Sequence, residues 1–448
     1  MTPISSWAQR TDEIAAALGV DAVRLVPVPA GASREAYRVE SPAGAGIAFL
    51  RADPVAGGVM DGSEMTLARE AEVLRRVRAH GLPVPAVLAT LTDPAGTLLE
   101  LVPGTSRPDP AAVEQAAPQY MALLARLHRI DPPDLGVPAS SITAALRSDL
   151  DWWRDRAATT GTLDRPLIRL ALRILADGLP DDPTPARPVH GDAGPGNVMI
   201  HEGRVVALLD WELFHAGDPH EDLAWIWMRG AHTDFGEFTT RVAEYAAAAG
   251  VAVDPGRLDW QAAFVMTKSV ISLWAGIIAA PPGADVLGPL IAALAYDALL
   301  GAVLVRLRGG ALRLLATPAI PAIPATSAET GLVDQLAARL GEADRAGAAI
   351  LDHLRRHLAL EQWRTSHLAA DVATRLPADP ADPGDPGDPG DPGDPGGPAG
   401  LAARVDDADP TTLTALATVL GAAADRAARS QPRAERLIRR AQRNGLGA

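Results

Sequence analysis

No cysteine occurs among the 448 residues, which excludes thiol catalysis, thiolate-bound zinc and iron–sulfur chemistry and leaves oxygen or imidazole as the only metal donors. Lysine is nearly as scarce: Lys268 is the sole example, the remaining positive charge being arginine, and with the heavy use of Ala, Gly and Pro this reads as compositional drift. Positive charge is also in deficit. Lys and Arg total 41 against 55 Asp and Glu, a formal charge of -14, which argues against a broad phosphate-tracking surface and hence against nucleic acid as a partner. The first ten residues lack the apolar run of a secretory signal, so a cytoplasmic protein is expected. The most apolar region, residues 269–305, is cut by Pro281, Pro282, Asp285 and Asp297 and has no uncharged run of the roughly 18 residues a spanning helix needs. It is read as buried core helices, with no membrane partner.

What is present divides the chain into segments. Residues 23–28, 36–40 and 47–51 read as short antiparallel strands, 63–79 as a helix, and 84–89 and 97–102 as two further strands closing a small sheet. Residues 1–102 are therefore expected to form one α+β lobe. A second, mostly helical lobe is expected over 103–316, opening with an amphipathic helix at 111–127. Leucine stripes predict a helical appendage at 329–376. Residues 377–400, with five consecutive Asp-Pro-Gly triplets, read as a disordered linker, and 401–448 as a helical tail with a local charge near +3 from eight Arg and five acidic residues.

The stretch from Pro188 to Trp227 carries the chemistry. Residues 198–200 and 205–209 form apolar runs joined by His201-Glu202-Gly203-Arg204, a hairpin signal. Asn197 enters the first strand and Asp210 leaves the second, so an amide oxygen and a carboxylate converge beside the loop that bears Asp192. A hard cation such as Mg²⁺ takes such oxygens and completes its shell with water and phosphate. The Asp192-to-Asn197 offset of five is that of the protein-kinase catalytic loop, where the Asp accepts the substrate hydroxyl proton and the Asn binds metal. Independently, Glu70 falls within the apolar face of its helix with Leu67, Val73, Leu74 and Val77, and a buried carboxylate needs a cation. Arg51, ending the strand "IAFLR", is the candidate. Gly31 and Ser33, in the turn between the first two strands, are placed to cover nucleotide phosphates.

These residues resemble the aminoglycoside phosphotransferase family of small-molecule kinases: "VHGDAGPGN" followed by "LLDWE", the helix "AREAEVLRRV" with Glu70, the connector "LLELVPG" and the helix end "LARLHRID". The resemblance spans roughly residues 20–310 and implies a protein-kinase-like two-lobed fold, with an antiparallel-sheet N-lobe and a mostly helical C-lobe. It implies ATP and Mg²⁺ as cofactors, Asp192 as the catalytic base, Asn197 and Asp210 as magnesium ligands, Glu212 assisting a second ion, and the backbone of Glu100 and Val102 receiving adenine. The segment "LDWELFHAGDPHEDLAW" is similar to the branch associated with acyl-CoA dehydrogenases, which acts on hydroxyacyl compounds. Two departures stand out: Arg51 where the family often has Lys, a bulkier and forked donor, and a phosphate turn whose only glycine is Gly31.

His190 is expected to hold its loop by hydrogen bonds rather than catalyse. Asp218 and Asp222 read as turn and helix-capping residues, and Trp225 and Trp227 as lobe packing. Two rival functions remain open: a metal-dependent hydrolase using His190, His201, His215 and His220 with nearby aspartates, and an inactive nucleotide-binding module.

Overall fold

The computed structural model describes residues 7, 10–28, 34–53, 66–92, 95–230, 233–280 and 287–309. Gly31, Ser33 and the three expected segments beyond residue 316 lie outside the described residues.

Five strands form one antiparallel sheet in the order β1-β2-β3-β5-β4, from β1 (Arg24–Pro27), β2 (Glu35–Glu40), β3 (Gly46–Ala52), β4 (Val87–Thr92) and β5 (Ala95–Leu99). The period-two alternation of β3 decides what faces what. Ala48, Leu50 and Ala52 pack with Trp7, Ile14, Tyr37, Val39 and Leu98 on one face, covered by α1 (Thr11–Leu18). Arg51, one residue out of phase, therefore points to the other face, where α2 (Leu67–Ala79) lies. Thr66 caps α2 by accepting from the Arg69 N–H at 3.2 Å. Its buried stripe of Leu67, Glu70, Ala71, Val73, Leu74 and Val77 follows helical spacing, with Glu70 inside it as the sequence predicts.

The strand expected at 84–89 instead starts at Val87. Pro83 and Pro85 cannot donate to a ladder, which accounts for the late start. Its partner spans Ala95–Leu99, not 97–102, because the chain leaves the sheet at Glu100 to cross between lobes. There the Glu100 N–H donates to the Ala86 carbonyl at 2.8 Å.

The second lobe is helical: α3 (Pro110–Leu127), α4 (Ile142–Thr159), α5 (Pro166–Asp177), α6 (His220–Gly230), α7 (Phe238–Ala249), α8 (Pro255–Ile278) and α9 (Leu287–Leu307). Four short strands form two small sheets, β6 (Arg187–Val189) with β9 (His215–Gly217) and β7 (Val198–His201) with β8 (Arg204–Leu208). One core runs through this lobe and includes Trp211, Trp225, Trp227 and Trp260. α8 is long and apolar enough to cross a membrane by composition, and 72% of that stretch is buried inside the lobe. This α+β architecture of a five-stranded antiparallel lobe and a helical lobe is the fold class expected from the sequence.

Candidate active site

Two loops carry the site. Residues 190–197 join β6 to β7 and residues 209–214 join β8 to β9, so the paired sheets present both loops together. The β7–β8 hairpin turns through Glu202 and Gly203, both at positive φ (48° and 69°), the geometry that matches strand twist. Across its base the Leu209 N–H donates to the Asn197 carbonyl at 2.9 Å. The hairpin therefore aligns Asn197 with Asp210, as the sequence predicts. Asp210 itself adopts φ 67°, an uncommon conformation for a residue other than glycine, which aims its carboxylate back toward the sheet lobe.

Arg51 is the junction of the two lobes. Its Nη1 lies 3.0 Å from Glu70 Oε1, and its Nη2 lies 2.8 Å from Asp210 Oδ1 and 3.2 Å from Glu212 Oε2. Burial opposes its charge, but Glu70, Asp210 and Glu212 outweigh that and push the pKa further up. Glu70 is nearly inaccessible, and burial raises its pKa against the pull of Arg51. Asp210 moves the other way: Arg51 chiefly, then Arg229, overcome the cost of burial and lower it. Arg34 pairs with Asp53 and lies 3.9 Å from Glu212.

Asp192 sits on the adjacent loop. Asn197 Nδ2 donates to its Oδ2 at 2.6 Å and to its backbone carbonyl at 2.9 Å. Burial pushes Asp192 up to about 7, with Arg229 and Asn197 pulling it down and the Asp210 charge pushing it up. Asp192 and Asp210 thus share one electrostatic site. His190 is neutral and structural, as expected: its Nε2 donates to the Leu209 carbonyl at 2.9 Å, its Nδ1 accepts from the Asp192 N–H at 3.3 Å, and burial lowers its pKa. Gly191 has φ 79°, and a Cβ there would lie 2.1 Å from the Leu213 carbonyl oxygen, so only glycine lets the two loops pass.

The donor set suits a hard cation. Asn197 Oδ1, Asp210 and Glu212 offer only oxygen, and both Asn197 Oδ1 and Asp210 Oδ1 already accept from guanidinium groups, as expected of a site arranged around positive charge. The histidines of the hydrolase reading do not converge. His201 lies at the exposed hairpin end, and His220 is spent on Asp218 at 2.7 Å and on the Asp254 N–H at 3.0 Å. His215 lies among Asp149, Glu221 and Lys268, where Lys268 Nζ is 2.5 Å from Asp149 and 2.8 Å from Glu221. The lysine already pairs with both carboxylates of that group.

Asp222 is not a helix cap. It lies within α6, fully buried, and its carboxylate accepts from the His190 and Gly191 N–H groups at 2.9 and 3.0 Å, with His128 Nε2 at 2.9 Å. It anchors the start of the Asp192 loop. Asp218 does hold a turn, accepting from the His220 N–H at 3.0 Å. Trp225 and Trp227 are buried in the lobe core, as expected. Sequence reasoning missed Arg229 altogether, although Asp222 and Arg229 lie seven residues apart on one helix face with only apolar residues between them, a readable signal.

Residues 24–260 match the model of the phosphotransferase enzyme family. Acyl-CoA dehydrogenase family member 11 of Gallus gallus is 31% identical over 172 residues, covering 35% of this chain and 22% of that protein. The probable acyl-CoA dehydrogenase IBR3 of Arabidopsis thaliana is 31% identical over 180 residues, with the same coverage of 35% and 22%. The chain thus spans about a fifth of the length of these curated relatives, and the similarity to the dehydrogenase-associated branch expected from the sequence is met. Among solved structures, a putative aminoglycoside phosphotransferase of Ralstonia eutropha aligns with a TM-score of 0.47 at 19% identity, covering 60% of this chain and 89% of that one. With a match over more than half its length that takes in both loops, Arg51 and Glu70, the chain belongs to the phosphotransferase enzyme family.

Proposed function

We propose that the chain is a small-molecule kinase that moves the γ-phosphoryl group of ATP to a hydroxyl of a small acceptor. In this reading Asp192 accepts the acceptor's proton, Arg51, oriented by Glu70, holds the α and β phosphates, and Gly31 and Ser33 would cover them. Asn197, Asp210 and Glu212 would hold Mg²⁺, which when bound supplies neutralisation of phosphate charge. At the lobe connector the Glu100 N–H is committed to Ala86, so adenine would meet the carbonyl of Glu100 and the backbone of Val102.

The observation that carries the reading is Arg51, a sheet-lobe cation joined both to Glu70 of α2 and to Asp210 of the hairpin. A purely structural ion pair would need Glu70 alone. Joining Asp210 as well brings the phosphate-holding pair, the metal donors and the Asp192 loop into one site. Little covalent work is asked of the protein, since positioning and charge supply most of the rate in phosphoryl transfer. An aspartate raised to about 7 is well matched to accepting a proton near neutral pH.

For the acceptor, the similarity to acyl-CoA dehydrogenase family proteins favours a hydroxyacyl thioester or hydroxy acid. The test is ATP consumption with Mg²⁺ against a hydroxyacyl thioester, an aminoglycoside and a choline-like alcohol. Consumption stimulated by the hydroxyacyl compound alone supports the assignment. Stimulation by one of the other two reassigns the acceptor, and none from any of the three, with no nucleotide binding, defeats the kinase reading.

A further inference from the structure

The loop bearing Asp192 is gripped from a direction that the proposed chemistry does not itself demand. Arg229, in the last turn of α6, reaches back across 37 residues of sequence so that its Nη1 donates to Asp192 Oδ1 at 2.7 Å and to Oδ2 at 2.8 Å. Its Nη2 donates to Asn197 Oδ1 at 3.0 Å and its Nε to the Pro195 carbonyl at 3.0 Å. A guanidinium offers five N–H donors, and these contacts spend most of them on a single loop.

The loop is shaped to admit this side chain. A Cβ on Gly194 would come within 3.3 Å of Arg229 Cβ and Cδ, and one on Gly196 within 2.9 Å of Nη2. Both glycines also hold positive φ, at 131° and 97°. Two turns earlier on the same helix face, Asp222 binds the backbone at His190 and Gly191. α6 therefore holds the front of the loop by a carboxylate and its middle by a guanidinium.

Counting acceptor sites sharpens the role. An ionised carboxylate has about four lone-pair sites. Oδ2 of Asp192 accepts from both Asn197 and Arg229, whereas Oδ1 accepts, among the described residues, from Arg229 alone. One site on Oδ1 is left over.

We propose that Arg229 is a positioning residue: by holding Asn197 through its Oδ1 it aims the Asn197 Nδ2 at Oδ2 of Asp192 and leaves the remaining acceptor site on Oδ1 to the acceptor hydroxyl. The proposal rests on the kinase reading above. As the acceptor oxygen bonds to the γ-phosphorus, its proton passes to Oδ1. The bond from that phosphorus to the β–γ bridging oxygen breaks, and its electron pair leaves with ADP. Arg229 takes no proton and touches no reacting atom. Its fork holds Asp192 with Nη1 and Asn197 with Nη2, which fixes the two side chains relative to each other, something a single ammonium group cannot do.

The experiment is steady-state kinetics on the full chain with Arg229→Ala, Arg229→Lys, Asp192→Ala and the double Asp192→Ala/Arg229→Ala. Each is assayed with and without millimolar guanidinium, alongside direct measurement of ATP binding. The expected result is a kcat loss of about 10²–10³ for Arg229→Ala, the scale of a misplaced catalytic group. The ATP KM and Kd should stay within about threefold, guanidinium should restore part of kcat, and Arg229→Lys should remain at least about tenfold slow. In the Asp192→Ala background the second change should cost less than about threefold, since Arg229 acts through Asp192. Unchanged kcat in Arg229→Ala, a loss confined to KM, or full additivity with Asp192→Ala overturns the positioning role while leaving the kinase reading in place. A parent protein that neither binds ATP nor transfers phosphate defeats that reading and this proposal with it.

Discussion

Arg51 pairs with three carboxylates at once, and removing it has a different cost from removing any one of its partners. Arg51→Met takes from Glu70 the cation 3.0 Å away, while Glu212 keeps Arg34 at 3.9 Å, and Glu70 has almost no access to water. Breaking a buried ion pair from one side costs about 3–5 kcal/mol. Glu70→Gln, by contrast, leaves Arg51 with Asp210 at 2.8 Å and Glu212 at 3.2 Å, and the glutamine oxygen can still accept, so the loss is expected near 1–2 kcal/mol. The double variant should cost less than the sum by about 1–3 kcal/mol, because the two groups meet. Protonation gives a second handle. Burial already raises the Glu70 pKa and Arg51 pulls it down, so without Arg51 the folded-state value rises further above the unfolded one. A group raised in this way contributes most below its unfolded pKa and loses that contribution as pH climbs through the folded value. Arg51→Met should therefore be more destabilised at pH 8 than at pH 5. Denaturant titrations followed by tryptophan fluorescence at the two pH values, with nine tryptophans as probes, measure all of this. Equal single losses that add fully, with no pH dependence in Arg51→Met, would refute the reasoning.

Four other perturbations test separate parts of the site. Asp192→Ala should lower turnover by about 10²–10⁴ with ATP affinity nearly unchanged, as read by kcat and by calorimetric titration. Asp222→Asn removes a charge that satisfies two loop N–H groups and His128, and should cost about 3 kcal/mol in a denaturation experiment as well as activity. Gly191→Ala places a methyl 2.1 Å from a backbone oxygen, so turnover should fall by at least about tenfold as the two loops move apart. His215 is raised to about 9 because Glu221 and Asp149 outweigh the cost of burying its charge. A raised group stabilises fully below its unfolded value of 6.5 and loses that stabilisation as pH rises through about 9, so up to about 3 kcal/mol should disappear across this window. His215→Gln should flatten that slope in a pH series of melting curves.

The parts of the site that the sequence disclosed were those fixed by local rules. Glu70 stood out because a carboxylate within a helix's apolar stripe is costly without a cation, and Arg51, ending the strand "IAFLR", was the candidate to supply it. Asn197 and Asp210 were legible because a tight hairpin aligns its ends. Asp222 was misread: the Gly217-Asp218-Pro219 turn advertised capping, and the donors that Asp222 satisfies come from residues more than thirty positions away. Arg229 was missed for a related reason, since the glycines that make room for it, Gly194 and Gly196, look in sequence like ordinary loop residues. The boundaries of β4 and β5 shifted because prolines and the lobe crossing, not apolar patterning, end those strands.

Lys268 sits at the middle of α8, with 3% of its side chain accessible, held between two carboxylates, and no second lysine exists anywhere in the chain. Reagents that acylate primary amines consequently find no side-chain target on the folded surface. Modification of that single ε-amine would report the opening of the helical core directly, giving a chemical clock for unfolding that needs no engineered label.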